Sequence, residues 1–238
     1  MEESIRNLLQ AALYDCCTPA FTKGVISHRV FESVVNVACG DLDVFTKKDP
    51  AANNDSHRVA HAYSSYRAVL HYRLAHALAT SPECRDLATA EELDANAHLI
   101  SCRGKLLSGA EIHHRCSIGL RFILDHGYGT VIGETTRIGD DCYVLGSVTL
   151  GATGIAGNPA AKRHPTIGNR VQIGAFSRIF GPVTIGDDVF IGPHCVIKED
   201  IPSGSTVMLK TALQITRTER GVFQMPAARP AAPGPIQG

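Results

Sequence analysis

Two polar dipeptides break an otherwise aliphatic pattern in the second half of this sequence, Asp125–His126 and Arg163–His164. The first sits in a glycine-rich interruption, DHGYGTV, where a regular repeat would place a small or aliphatic residue. Histidine titrates near neutrality, so His126 is suited to general-base work beside the carboxylate of Asp125. The second dipeptide closes the segment GATGIAGNPAAKRHPT. Taken alone, an Asp–His pair is more often an ordinary surface pair than an active site, so a chemical role depends on a scaffold that positions it.

That scaffold is legible as a period of six. Ile112, Ile118 and Leu124 are followed, after a slip of two, by Ile132, Ile138, Val144 and Leu150. After a longer interruption come Ile167, Ile173, Ile179, Ile185, Ile191 and Ile197 without error, and glycine follows many of these positions directly. A six-residue period fits neither a long helix nor a hairpin. It fits short strands that turn a corner every six residues, each burying one aliphatic side chain, with three corners making a coil of ~18 residues in a parallel β-solenoid. An ordinary sandwich would alternate with period two. The segment between Leu150 and Ile167 is too long for one corner, so part of it leaves the coil as a loop, where solenoids commonly carry binding residues.

Residues 1–104 read as a helical N-terminal domain, 105–205 as the solenoid, and 206–238 as a C-terminal extension, largely a flexible Pro/Ala/Gly-rich tail. In the helical part, Ile5, Leu8, Leu9, Ala12 and Leu13 form an i, i+3, i+4 stripe. HRVFESVVNVACGDLDVF repeats helical spacing, with Gly40 as its expected stop. The run from Ser56 to Thr80 contains no Gly or Pro and predicts one helix capped by Ser56. TAEELDANAHLI predicts a further helix leading into the solenoid.

Composition excludes several classes of function. Lys+Arg and Asp+Glu are both 23 and tryptophan is absent, so neither a field for nucleic acid or anionic membranes nor a base-stacking platform is expected. No apolar run approaches the ~18 residues of a membrane span, and MEESIRNLLQ lacks the basic start of a signal peptide, so a cytoplasmic protein is expected. The eight cysteines form no C-x-x-C and read as reduced, buried thiols. His57, His61, His71 and His76 read as packed or surface side chains of a helix. His113, His114, His126 and His164 lack the fixed coil offset that a shared metal needs, so no metal is expected.

The motifs KKDPA, YRLAH, EIHHRCSIG, ILDHGYGTVIGET, VTLGATG and the RHP of KRHPTIG together resemble the serine O-acetyltransferases, over roughly residues 40–205. The resemblance implies a left-handed parallel β-helix of hexapeptide repeats behind the helical domain (an α+β chain) and acetyl transfer from acetyl-CoA to L-serine for cysteine biosynthesis. It implies His126 as general base, with Glu111 at the position of the family's orienting aspartate. Asp49 and Asp125 match the acids that hold the substrate ammonium group, and Arg163 the arginine that takes its carboxylate, with His164 beside it. Acetyl-CoA is expected along Gly151, Ala152, Thr153, Ala175 and Lys198. Relatives act as homotrimers with the active site between adjacent solenoids, and often as dimers of trimers through their N-terminal helices, although this chain's N-terminal region is short for that.

The sequence departs from the family at four places. Glu111 replaces the aspartate and adds a methylene. Phe176 stands where IGAG is usual, Pro193 and His194 where GAGS is usual, and the loop before Arg163 is lengthened by NPAAK. These changes leave open a different hydroxy amino acid or an amino sugar as acceptor, or a non-catalytic binding paralogue. Family members often dock a terminal isoleucine into the O-acetylserine sulfhydrylase. Here Ile236 is not terminal, which counts against that complex.

Overall fold

The structure, a computed structural model, describes residues 1–157, 161–210, 215–218 and 221–224. Six α-helices come first among them: α1 (Glu2–Cys16), α2 (Pro19–Ser27), α3 (Arg29–Lys48), α4 (Ser56–Ala62), α5 (Ser64–Thr80) and α6 (Ala90–Ser108), with 3₁₀ turns at Pro50–Ala52 and Pro82–Asp86. The α1 stripe buries Ile5, Leu9, Ala12 and Leu13. Thr89 caps α6 through a reciprocal pair with Glu92, and Gly109, at φ 72°, ends it.

Two helical expectations are corrected. Helix α3 does not stop at Gly40 but continues to Lys48. A glycine inside a helix costs about 1 kcal/mol, which the burial of Leu42 and Phe45 beyond it outweighs. The run 56–80 is two helices, broken at Tyr63 with extended backbone (φ −87°, ψ 107°), and Asp55 rather than Ser56 caps the first by accepting from Arg58 N at 3.1 Å. A tertiary contact overrides local propensity here. The Tyr63 hydroxyl donates to Asp49 at 2.9 Å, and its ring packs edge-on against Phe45.

The remainder is a parallel β-helix with three faces. The first stacks Glu111–Ile112, Val131–Ile132, Thr149–Gly151, Arg178–Phe180 and Val196–Ile197. The second stacks Ser117–Ile118, Arg137–Ile138, Thr166–Ile167 and Thr184–Ile185, and the third Ile123–Leu124, Tyr143–Val144, Gln172–Ile173, Phe190–Ile191 and Thr206–Val207. The register pairs Ile112 with Ile132, Ile132 with Leu150, and Ile179 with both Leu150 and Ile197, so the six-residue period becomes columns of aliphatics, all buried. A second inward stripe lies two residues earlier in each repeat and includes Cys116, Cys142 and Cys195, which accounts for those cysteines as core side chains.

Helices α3, α5 and α6 close the open end of this β-helix. Its first coil has no earlier coil to pair with, and its edge groups are satisfied by side chains instead. The Tyr72 hydroxyl lies 3.0 Å from Cys116 O and accepts from Ile118 N at 2.9 Å. Arg73 donates to Ile118 O and Gly119 O, both at 2.6 Å, and pairs with buried Asp41, which in turn accepts from Phe122 N. Ser101 donates to Ile112 O at 2.6 Å, and the His76 ring meets His114 O at 2.8 Å. The YRLAH motif (72–76) is therefore an edge cap written into a helix.

Within the segment expected to be a mobile tail, Thr206–Val207 pairs with Phe190–Ile191, and Ile215–Thr218 pairs antiparallel with Gly221–Gln224. The expectation for 211–214, 219–220 and 225–238 lies outside the described residues.

Candidate active site

Residues after the third face and before the first form one edge of the prism. There the chain takes two extra residues, the slip between Leu124 and Ile132, and His126 sits at its turn with φ 60°, its side chain 83% exposed. A non-glycine residue in this region is uncommon and costs energy that the surrounding structure must overcome. Gly127 (φ 66°) follows, and a Cβ there would stand 2.8 Å from Ser65 of α5, so the loop lies hard against the helical region. The approach brings Asp49, remote in sequence, to Asp125 and His126. Together with Tyr63, Ala51 and Ser65 they line a cavity of about 350 Å³.

Each acid in this cavity is held by a tyrosine. Asp49 accepts from Tyr63 and from Ala51 N, both at 2.9 Å, and Asp125 accepts from Tyr143 at 2.9 Å. Burial, then the neighbouring carboxylate, pushes both phenols upward, so each remains a proton donor at neutral pH. His126 Nε2 lies 3.9 Å from Asp125 Oδ2. Glu111 pairs instead with Lys105 in the last turn of α6, and no hydrogen bond joins it to His126. The added methylene of glutamate reaches toward the helix rather than the imidazole.

Arg163 and His164 lie on the next edge, between the first and second faces. Thr135 organises them: its hydroxyl accepts from Arg163 N at 3.0 Å and His164 N at 3.1 Å, while its own N–H donates to His164 Nδ1 at 3.1 Å. An Nδ1 that accepts leaves the proton of a neutral ring on Nε2. Burial first, and then Arg163 and Lys162, lower the His164 pKa and favour that neutral form. The ring lies over Gly133, where a Cβ would stand 2.2 Å away. Glu134 pairs with Arg163 and, at 3.3 Å, with Arg115, which also pairs with Asp94 of α6. The Arg163 guanidinium holds the Glu134 carboxyl below its usual range.

The residues expected to meet the cofactor divide between the same two edges. Gly151 ends a first-face strand and Ala152, Thr153 and Lys198 follow such strands, on the edge of Arg163; Gly151 O accepts from Gly181 N at 3.0 Å. Ala175 lies on the edge of His126 and lines an apolar concavity of about 270 Å³ with Tyr143, Leu145 and Pro193. Phe176 and His194 stack in parallel beside it, ring centroids 5.1 Å apart, both at left-handed corners. Among the described residues no group of three His, Cys, Asp or Glu side chains is placed to hold a metal ion.

A family model described as bacterial transferase hexapeptide (six repeats) matches residues 164–199. The serine acetyltransferase of Helicobacter pylori is 41% identical over 176 residues, covering 74% of this chain and 95% of that protein. The chain belongs to the serine acetyltransferase family. The Bacillus subtilis serine acetyltransferase is 38% identical over 168 residues, 71% of each chain. The soybean serine acetyltransferase complexed with serine superposes with a TM-score of 0.69 at 28% identity, over 84% of this chain and 79% of that one. The chain is thus an acyltransferase built on a left-handed β-helix, and serine acetyltransferases use acetyl-CoA.

Membership explains the motifs, and the geometry adds residues that motif reading left without roles. Tyr143 lies one coil above Ile123, its register partner, and the two residues added in this coil put Asp125 within reach of its hydroxyl. Gly133, Glu134 and Thr135 belong to the quoted VIGET motif and hold Arg163 and His164. Tyr63 carries no signal in the sequence, because it looks like the interior of a helix.

Proposed function

We propose that this chain transfers acetyl directly from acetyl-CoA to the L-serine hydroxyl in a site shared by two copies of the β-helix. One observation carries the reading. The acids with the base, and the arginine with the second histidine, occupy neighbouring edges of one prism with a whole face between them. A single chain therefore offers two half-sites, and a three-fold assembly that sets one edge against the next edge of its neighbour joins them. An amino acid needs an anionic partner for its ammonium group and a cationic fork for its carboxylate, and the two edges supply one each.

In this reading Asp49 and Asp125, steadied by Tyr63 and Tyr143, take the ammonium group. Arg163 of the adjoining copy takes the carboxylate. His126 accepts the hydroxyl proton as the serine oxygen attacks the acetyl carbonyl carbon. The carbon–sulfur bond then breaks, and the departing thiolate takes the proton back from the imidazolium, giving O-acetylserine and free CoA. Glu111 would orient His126 only by leaving Lys105, which holds it away from the imidazole here. Gly151, Ala152, Thr153, Ala175 and Lys198 line the path of the CoA arm between copies.

The test follows thiol release from acetyl-CoA with serine and a panel of other hydroxy amino acids and amino sugars. Serine is expected to be the best acceptor. His126→Ala is expected to retain the assembly and lose about 10²–10⁴-fold in kcat. Near-normal turnover of that variant would overturn the reading. A preference for another acceptor would move the specificity to Phe176, His194 and the lengthened loop.

A further inference from the structure

Between the end of α5 and the second face of the β-helix lies a cavity of about 490 Å³ that the transfer reaction leaves unexplained. Arg115, Ser117, Glu134, Thr135, Arg137 and Lys162 contribute to its wall. Its charges are unevenly matched. Arg115 is engaged by Asp94 and Glu134, and Glu134 by Arg163 as well. Lys162 Nζ donates to two backbone carbonyls, Thr135 O at 2.6 Å and Pro165 O at 2.9 Å, with no carboxylate among its partners. Burial, and then the neighbouring Arg137, lower the Lys162 ammonium to about 8. Arg137 itself projects from the middle of the second face, and no described carboxylate pairs with it. Its register neighbours are Ser117 and Thr166, so the guanidinium is flanked by hydroxyls rather than acids.

We propose that this cavity binds a phosphate-type oxyanion, either free or as the phosphate ester of a larger ligand, with Arg137 as its anchor. An anion there offsets the repulsion between Arg137 and Lys162. It gains a fork of guanidinium donors and the hydroxyl of Ser117. The volume exceeds what one small ion fills, so an ester-bearing ligand fits as well as inorganic phosphate. Lys162 belongs to the lengthened loop that distinguishes this chain, and Arg137 is not part of the transfer machinery.

The ester source that the cofactor reading supplies is the 3′-phosphate of CoA, and that arm alone rests on that reading. The experiment is calorimetric titration of the full-length protein and of Arg137→Gln, at low ionic strength, with inorganic phosphate, CoA and dephospho-CoA. A free oxyanion site predicts phosphate binding that weakens about tenfold or more in Arg137→Gln, with CoA and dephospho-CoA binding alike. An ester site predicts that Arg137→Gln weakens CoA about tenfold while leaving dephospho-CoA unchanged. Phosphate binding indifferent to Arg137→Gln, or no phosphate binding together with no difference between the two CoA forms, would overturn the proposal. If neither CoA form binds, the cofactor reading fails, and the phosphate arm still decides this site.

Discussion

At the scale of single residues, the candidate site depends on second partners as much as on the residues that meet substrate. Tyr143 and Asp125 are joined by one hydrogen bond to a charged acceptor, a type that contributes about 1.5–3 kcal/mol. Tyr143→Phe is therefore expected to raise KM for serine about tenfold or more, with a smaller change in kcat; steady-state kinetics with varied serine checks this. Glu134→Gln loosens Arg163 on the other edge, and the same KM-weighted pattern is expected. Glu111→Gln is expected to cost about tenfold in kcat/KM, well short of His126→Ala. Equal losses would mean that Glu111 orients the imidazole in the assembled enzyme as fully as an aspartate would.

At the scale of elements, the helices and the β-helix are one structure because α5 closes the open strand edge. The Arg73–Asp41 pair is the centre of that closure, with side-chain exposures of 7% and 0%. Removing one partner strands a buried charge, which typically costs 3–5 kcal/mol. Arg73→Ala is expected to lower stability by about that amount in denaturant titration and to release the edge groups Ile118 O and Gly119 O. A loss under about 1 kcal/mol would contradict the capping role. The solenoid was legible because a six-residue period places thirteen aliphatic positions in three in-phase runs, and each proved to be a core position. The helical boundaries were less so. Gly40 and the 56–80 run were misread because burial of Leu42 and Phe45, and the Tyr63–Asp49 bond, are tertiary facts that local propensity does not carry. Likewise, Asp125–His126 announced itself by breaking a period, whereas Tyr63 had no pattern to break.

At the scale of the whole molecule, buried histidines set a pH limit. Burial lowers the pKa of His71 and His76 from 6.5, and burial with His114 lowers His113 to about 4. The fold thus favours their neutral forms, while the unfolded chain takes up protons from about pH 6.5 downward. Stability from these groups is present above that pH and is lost as the pH falls toward the folded-state values. Tm is expected to fall between pH 7.5 and pH 5, and less steeply in His76→Asn; a flat profile would contradict the assignment. The other consequence at this scale is assembly, since in the proposed mechanism the two half-sites meet only between copies. Mixing subunits tests it most directly. His126→Ala and Arg163→Ala are each expected to be nearly inactive alone. When refolded or co-expressed together at equal amounts, about one quarter of the sites in random trimers would draw an intact base from one copy and an intact arginine from the next. Recovery of serine-dependent thiol release to about that fraction of wild type is the predicted result. Mixed assemblies that form and remain as inactive as either variant alone would contradict a site shared between subunits.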